Sequence, residues 1–150
     1  MPYKHKVSIL WTRPALINEA YGISSIDDCG VYLITRKYIR NDVEWEALLY
    51  VGITTRSFYR RISEHFQTNS KWCSAYGKKY IRFGTIFIYN LNHYNQKKLL
   101  TDIETNIIQN LNSTYPNELI NIQQVSTYNT NYFLEIHHYN NSWMTRFNPK

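Results

Sequence analysis

Four side chains of unlike chemistry stand close together in the first half of the chain: Tyr32, Tyr50, Arg61 and His65. Two phenols, a guanidinium and an imidazole can together hold an anion and move a proton. The guanidinium presents a fork of donors to an oxyanion, and the imidazole titrates near neutrality. A phenol, with an ordinary pKa of about 10, needs a nearby positive charge to take a proton at neutral pH. Taken singly, each is more often a packing tyrosine or a helix-surface histidine, and it is the joint spacing that makes them a candidate site. A fifth residue, Glu104, stands out for a different reason. Gln96 to Asn112 reads as a helix whose apolar stripe is Leu100, Ile103, Ile107, Ile108 and Leu111. At about 100° per residue, Glu104 falls roughly 40° from Leu100 and Ile108 and roughly 20° from Leu111. A carboxylate inside such a stripe is costly to bury unless it is paired or coordinates a cation. Asp102 points elsewhere on the helix and is not counted as a ligand.

The elements that must position these groups are short. Val31, Leu33 and Ile34 form one apolar run, and Leu48, Leu49, Val51 and Ile53 form another. Both are β-branched-rich and bounded by turn formers, as strands are. Between them Arg36 to Glu46 is charged and contains Asn41-Asp42, which predicts a hairpin with a long exposed connection. Such a hairpin brings Tyr32 near Tyr50. Gly30 and Gly52 bracket the two tyrosines and permit close approach of a backbone or a ligand. Beyond Gly52 the period changes: Phe58, Ile62 and Phe66 recur every fourth residue, predicting a helix from about Ser57 to Gln67, with Ser57 or Thr55 as its cap. Arg61 and His65 lie one step round from that stripe, where the helix borders the hairpin. Phe83 to Tyr89 predicts a third strand.

The tripeptides Gly30-Val31-Tyr32 and Tyr50-Val51-Gly52, followed by a helix bearing Arg61 and His65, resemble the GIY-YIG nucleases. Each tripeptide departs from the family pattern only by Val for Ile. Matching the helix requires one inserted residue between Gly52 and Phe58; this makes Arg61, rather than Arg60, the counterpart of the family arginine. The resemblance spans roughly Cys29 to Ile122. It implies a metal-dependent endonuclease in which Glu104 is the acidic metal ligand and Asn121, in Leu119-Ile120-Asn121-Ile122, is the following asparagine, with Asn117 a weaker match. The implied cofactor is Mg²⁺ or Mn²⁺. The implied fold is α/β: a small central three-stranded, mainly antiparallel sheet flanked by helices. The reading is of a single nuclease domain, with a core of about 29–122 and extensions at 1–28 and 123–150.

Charge and composition agree with such a partner. The chain of 150 residues carries 17 Lys and Arg against 11 Asp and Glu, a net +6, together with 14 Tyr and 4 Trp, which suits nucleic acid. Cys29 and Cys73 are too few for a disulfide framework and have no zinc spacing, so both read as reduced thiols. No apolar run is as long as a membrane span, and no apolar leader segment is present, from which a cytoplasmic protein is expected. In the N-terminal part, Val7 to Trp11 predicts a strand, and Pro14 to Ala20 a short helix; as basic, aromatic sequence this arm is either a DNA contact or plain packing. Tyr132, Leu134 and Ile136 predict one more strand, on which the adjacent His137 and His138 point to opposite faces and form no metal site. The functional expectation is sequence-specific cleavage of duplex DNA, restriction-type, with a homodimer suited to a symmetric site. The alternatives are a structure-specific repair or recombination nuclease and a noncatalytic nucleic-acid-binding protein on the same scaffold.

Overall fold

Asn41 and Asp42 turn the chain with positive φ, 52° and 61°. Asn and Asp tolerate this left-handed region, and two such residues in succession make the tight turn whose twist matches that of the flanking strands. In a computed structural model of the chain, which describes residues 3–68, 73, 77–88, 96–115 and 132–140, this turn joins two long strands. They are β3 (Gly30–Arg40) and β4 (Val43–Thr54). The long exposed connection expected between Arg36 and Glu46 is therefore not there. Those residues continue the ladder, with Lys37 opposite Glu46 and Tyr38 opposite Trp45. Their charges alternate between faces instead of marking a loop.

Around the hairpin lie β1 (Tyr3–Trp11), β2 (Ala15–Leu16), a 3₁₀ helix (Ile17–Gly22), α1 (Phe58–Thr68), β5 (Lys78–Ile88), α2 (Gln96–Thr114) and β6 (Tyr132–Tyr139). The sheet runs β4-β3-β5-β1-β6, with β2 beside β5. All pairings are antiparallel except β1 with β6. Among the described residues the sheet thus has six strands where three were expected. Alternation along β1 and β6 announces two strands, but only long-range pairing makes them members of the sheet. Trp11 is buried, so the N-terminal strand packs and does not present this indole to a ligand. It donates from Nε1 to His138 Nδ1 at 2.9 Å, tying β1 to β6.

Two apolar clusters cover the two faces. On one, Leu99, Leu100, Ile103, Ile107, Ile108 and Leu111 of α2 pack on Val31, Leu33, Leu48 and Val51. On the other, Phe58 and Ile62 of α1 pack on Tyr32, Ile34, Leu49, Ile81 and Phe83. Full burial of each such side chain is worth about 1.5–3 kcal/mol. No helix among the described residues is long and apolar enough to cross a membrane.

Candidate active site

Three backbone donors at the start of α1 find partners outside the helix. Phe58 N–H donates to Asp28 O at 2.9 Å, Tyr59 N–H to Ile26 O at 2.9 Å, and Arg60 N–H to Ser57 Oγ at 3.1 Å. These are the groups a helix leaves open, and of the two expected caps, Ser57 and Thr55, it is Ser57 that bonds to the helix. The Phe58 ring then stacks on Phe83 at 4.3 Å and meets the Tyr32 ring edge-on at 6.5 Å. The helix is thereby seated on β3 and β5.

Two backbone devices place the tyrosines. Tyr32 is paired across the ladder with Gly52, and a Cβ at Gly52 would fall inside the Tyr32 ring. The glycine is thus the seat of that phenol. A bulge opposite Ile34 and Thr35 leaves Leu49 unpaired, since Ile34 faces Tyr50 and Thr35 faces Leu48. Strict alternation from Leu48 would put Tyr50 on the α2 face; the extra residue moves it to the α1 face, beside Tyr32. The two rings stack at 6.1 Å.

On α1, Arg61 and His65 both reach this pair. His65 Nε2 lies 2.6 Å from Tyr32 Oη, and Arg61 Nε donates to the same oxygen at 3.3 Å. A guanidinium only donates, so the phenol accepts from Arg61, and its one proton can go to His65 Nε2 when the imidazole carries its own on Nδ1, or to Tyr50, which also bonds to Tyr32. Burial lowers the His65 pKa to about 4, helped by Arg61 and opposed by Glu64. Burial also pushes the Tyr32 phenol well above its ordinary range, and Tyr50 adds to this while Arg61 works against it. The positive charge expected beside Tyr32 is present, yet desolvation outweighs it, and the phenol rests protonated at neutral pH. Tyr50 is raised as well, by burial first, with Arg61 lowering it and Glu104 raising it.

Glu104 approaches from the other side, on α2. It is half-buried and makes no hydrogen bond or ion pair among the described residues. Burial raises its pKa to about 7, against the pull of Arg61. Arg61, Tyr50 and Glu104 therefore share one electrostatic environment. No ion pair joins Glu104 to a lysine among the described residues. Asp102 is 2 % exposed, with Oδ2 buried and unpartnered; only burial acts on it, so it stays outside this group. Asn121 and Asn117 lie outside the described residues.

Arg60, the rejected alternative to Arg61, is exposed. Sequence reasoning missed Glu64, which holds Arg61 Nη1 at 3.3 Å and also pairs with Arg56. The signal was present: Arg61 and Glu64 are three residues apart on a helix, where side chains meet. Among the described residues no three His, Cys, Asp or Glu converge as a metal cage. The donor set is one hard carboxylate beside phenols, which fits a hydrated Mg²⁺ or Mn²⁺ far better than zinc.

The GIY-YIG catalytic domain model matches residues 28–118. No curated protein and no solved structure gives a significant match. Both tripeptides, the α1 helix and all of α2 lie within the matched stretch, which covers more than half of the chain, and the chain belongs to the GIY-YIG family of nucleases, which are phosphodiester hydrolases.

Proposed function

We propose that this nuclease is a metal-dependent endonuclease that cuts both strands of duplex DNA at a specific sequence, in the manner of a restriction enzyme. The observation that carries the metal-dependent part is the carboxylate of Glu104, unpaired among the described residues, partly desolvated and within the electrostatic reach of Tyr50 and Arg61. A carboxyl whose pKa burial raises to about 7, with no protein cation bonded to it among the described residues, is suited to exchanging its proton for a divalent ion. The net charge of +6 supports a polyanionic duplex as substrate. Cutting both strands at a symmetric site would call for a second copy of the chain.

In this reading Arg61 grips the scissile phosphate, its guanidinium kept in place by Glu64 and the Tyr32 oxygen. Tyr32 orients the attacking water. As the water gives a proton to the phenol oxygen, the phenol passes its own proton to His65 Nε2, already 2.6 Å away. Neutral His65 can accept it because burial has left the ring unprotonated. Tyr50 lines the site between Arg61 and Glu104. A divalent ion at Glu104, when bound, supplies charge neutralisation at the phosphate and at the leaving oxygen. Asn121 is proposed as a further member of the site on the family resemblance alone.

The test is incubation of the purified protein with long linear duplex DNA and Mg²⁺, beside Glu104→Gln. Discrete fragments from the wild type, reduced by about 10²–10³-fold or more in the variant, are expected. Full activity in Glu104→Gln would remove the metal role. An intact linear duplex with cleavage of flapped or four-way DNA would replace sequence specificity by structure specificity.

A further inference from the structure

The hairpin of β3 and β4 continues well past the residues used by the site. From Tyr32 to Arg40 the strand advances eight steps, about 26 Å at roughly 3.3 Å per residue, so the arm reaches far from the tyrosines. Its side chains can be assigned to faces from the ladder. Tyr32, Ile34 and Ile81 lie on the α1 face, so Arg36, Tyr38 and Arg40 lie there too, as does Lys79 opposite Arg36. Trp45, opposite Tyr38, shares the same face. The other face carries Lys37, Ile39, Lys78 and Tyr80, with Glu44 opposite Ile39 and Glu46 opposite Lys37. Several of these line a single open depression of about 370 Å³.

The charges are sorted by this division. Both carboxylates of the arm's strands, Glu44 and Glu46, are on the α2 face, where Lys37 also sits 4.4 Å from the centre of the Tyr80 ring. The α1 face of the arm has Arg36, Arg40 and Lys79 and no acid, and none of the three makes an ion pair among the described residues. Arg36 instead lies 5.5 Å from the centre of the Tyr38 ring. This acid-free row begins beside Ile34 and so continues the surface on which Tyr32, Tyr50, Arg61 and His65 stand. Cations left unpaired along one side of a twisted ribbon are suited to a partner of regularly spaced negative charge.

We propose that the α1 face of the β3–β4 arm and of the adjoining start of β5, through Arg36, Arg40 and Lys79, is a phosphate-tracking surface that holds duplex nucleic acid on one side of the scissile bond. The assignment rests on the nuclease reading given above and adds where the substrate lies. At about 3.4 Å per base pair, an arm of about 26 Å reaches roughly eight base pairs from the cut. Contacts of this kind position the duplex without reading its sequence.

The test uses Arg40→Gln/Lys79→Gln on the α1 face and Lys37→Gln/Lys78→Gln on the opposite face, two variants of equal net charge. Binding to a long duplex is measured without divalent ion between about 50 and 200 mM salt. The slope of log K against log salt is about −0.9 per phosphate contact. Arg40→Gln/Lys79→Gln should lower its magnitude by about 2, and Lys37→Gln/Lys78→Gln by well under 1. Equal losses would show an effect of net charge and overturn the proposal, as would no loss in either. In cleavage with Mg²⁺, wild-type rates should fall when the duplex ends within roughly eight base pairs of the cut on one side, and Arg40→Gln/Lys79→Gln should lose that dependence on flank length. Wild-type cleavage that ignores flank length overturns the arm alone. A wild type that neither binds nor cuts any duplex overturns both this assignment and the duplex nuclease reading. Unchanged urea midpoints in both variants identify the losses as binding effects.

Discussion

Two polar clusters share strands β3, β4 and β5 or their neighbours, on opposite faces of one sheet, and they are built on opposite terms. On the α2 face, Arg82 is fully buried and donates to Glu46 at 2.7 Å and to Thr35 at 3.1 Å, while Thr35 donates to Glu46 at 2.9 Å. On the α1 face, Tyr32, His65 and Arg61 are joined in a chain of hydrogen bonds, while Glu104, the carboxylate that acts on this group from α2 on the other side, is bonded to nothing described. In the first cluster every charge meets its opposite, and the result is a brace across three strands. In the second a negative group is desolvated and left wanting a cation. A charge kept for structure is satisfied inside the fold; one kept for chemistry is satisfied only when something arrives.

The largest effect should come from breaking the brace. Glu46→Ala leaves Arg82 without its carboxylate in the interior, and a loss of about 3–5 kcal/mol is expected by urea denaturation. The paired replacement Glu46→Leu/Arg82→Met should recover much of that loss. A single variant as stable as wild type would mean that the two clusters do not differ in kind. Cleavage per folded molecule should be little changed, because the brace does not touch the α1 face.

Next in size is the test of Arg61. Arg61→Ala should lower turnover by about 10²-fold, on the scale of removing one stabilising donor, whereas Arg60→Ala, on the exposed side of α1, should change it by a few-fold at most through weaker binding. The opposite order would place the phosphate on the outer side of the helix and exclude the chain from Arg61 to His65.

The smallest effect is one of pH on stability, measured without divalent ion. The folded pKa of Glu104 is raised to about 7, above an unfolded value of about 4.3. Between these values the folded state binds the extra proton, so this group costs stability as pH rises. His65 has the reverse sign: its folded pKa is lowered to about 4, below an unfolded value of about 6.5, so its contribution is lost as pH falls. The two nearly oppose each other in the wild type. Removing one exposes the other, and Glu104→Gln should gain stability relative to wild type as pH rises from about 5 to 8. A stability difference that does not vary with pH would show that Glu104 is as well solvated as any surface carboxylate.

Much of this was legible in residue order, and what was not has a physical cause. The tyrosine and glycine tripeptides, the capped helix with Arg61 and His65 four residues apart, and a carboxylate out of place in an apolar helical stripe all follow from local periodicity. Period and propensity are properties of neighbouring residues, so they survive in the linear chain. Even the anomaly of Glu104 is local, since it concerns one face of one helix. The length of the hairpin was missed because a charged stretch looks like a loop until its partner strand shows that the charges alternate between faces.

Tertiary structure alone decided the rest. The bulge at Leu49 sends Tyr50 to the side of Tyr32, and no reading of a single strand reveals a residue left unpaired by another. The inclusion of β1 and β6 in the sheet, and the burial of Trp11 against His138, depend on partners more than a hundred residues apart in the chain. Burial likewise determines that Tyr32 stays protonated, that His65 stays neutral, and that Glu104 resists ionisation. Residue types set which groups can titrate; the packing around them sets which form they hold, because desolvation is a property of the whole neighbourhood and not of the chain order.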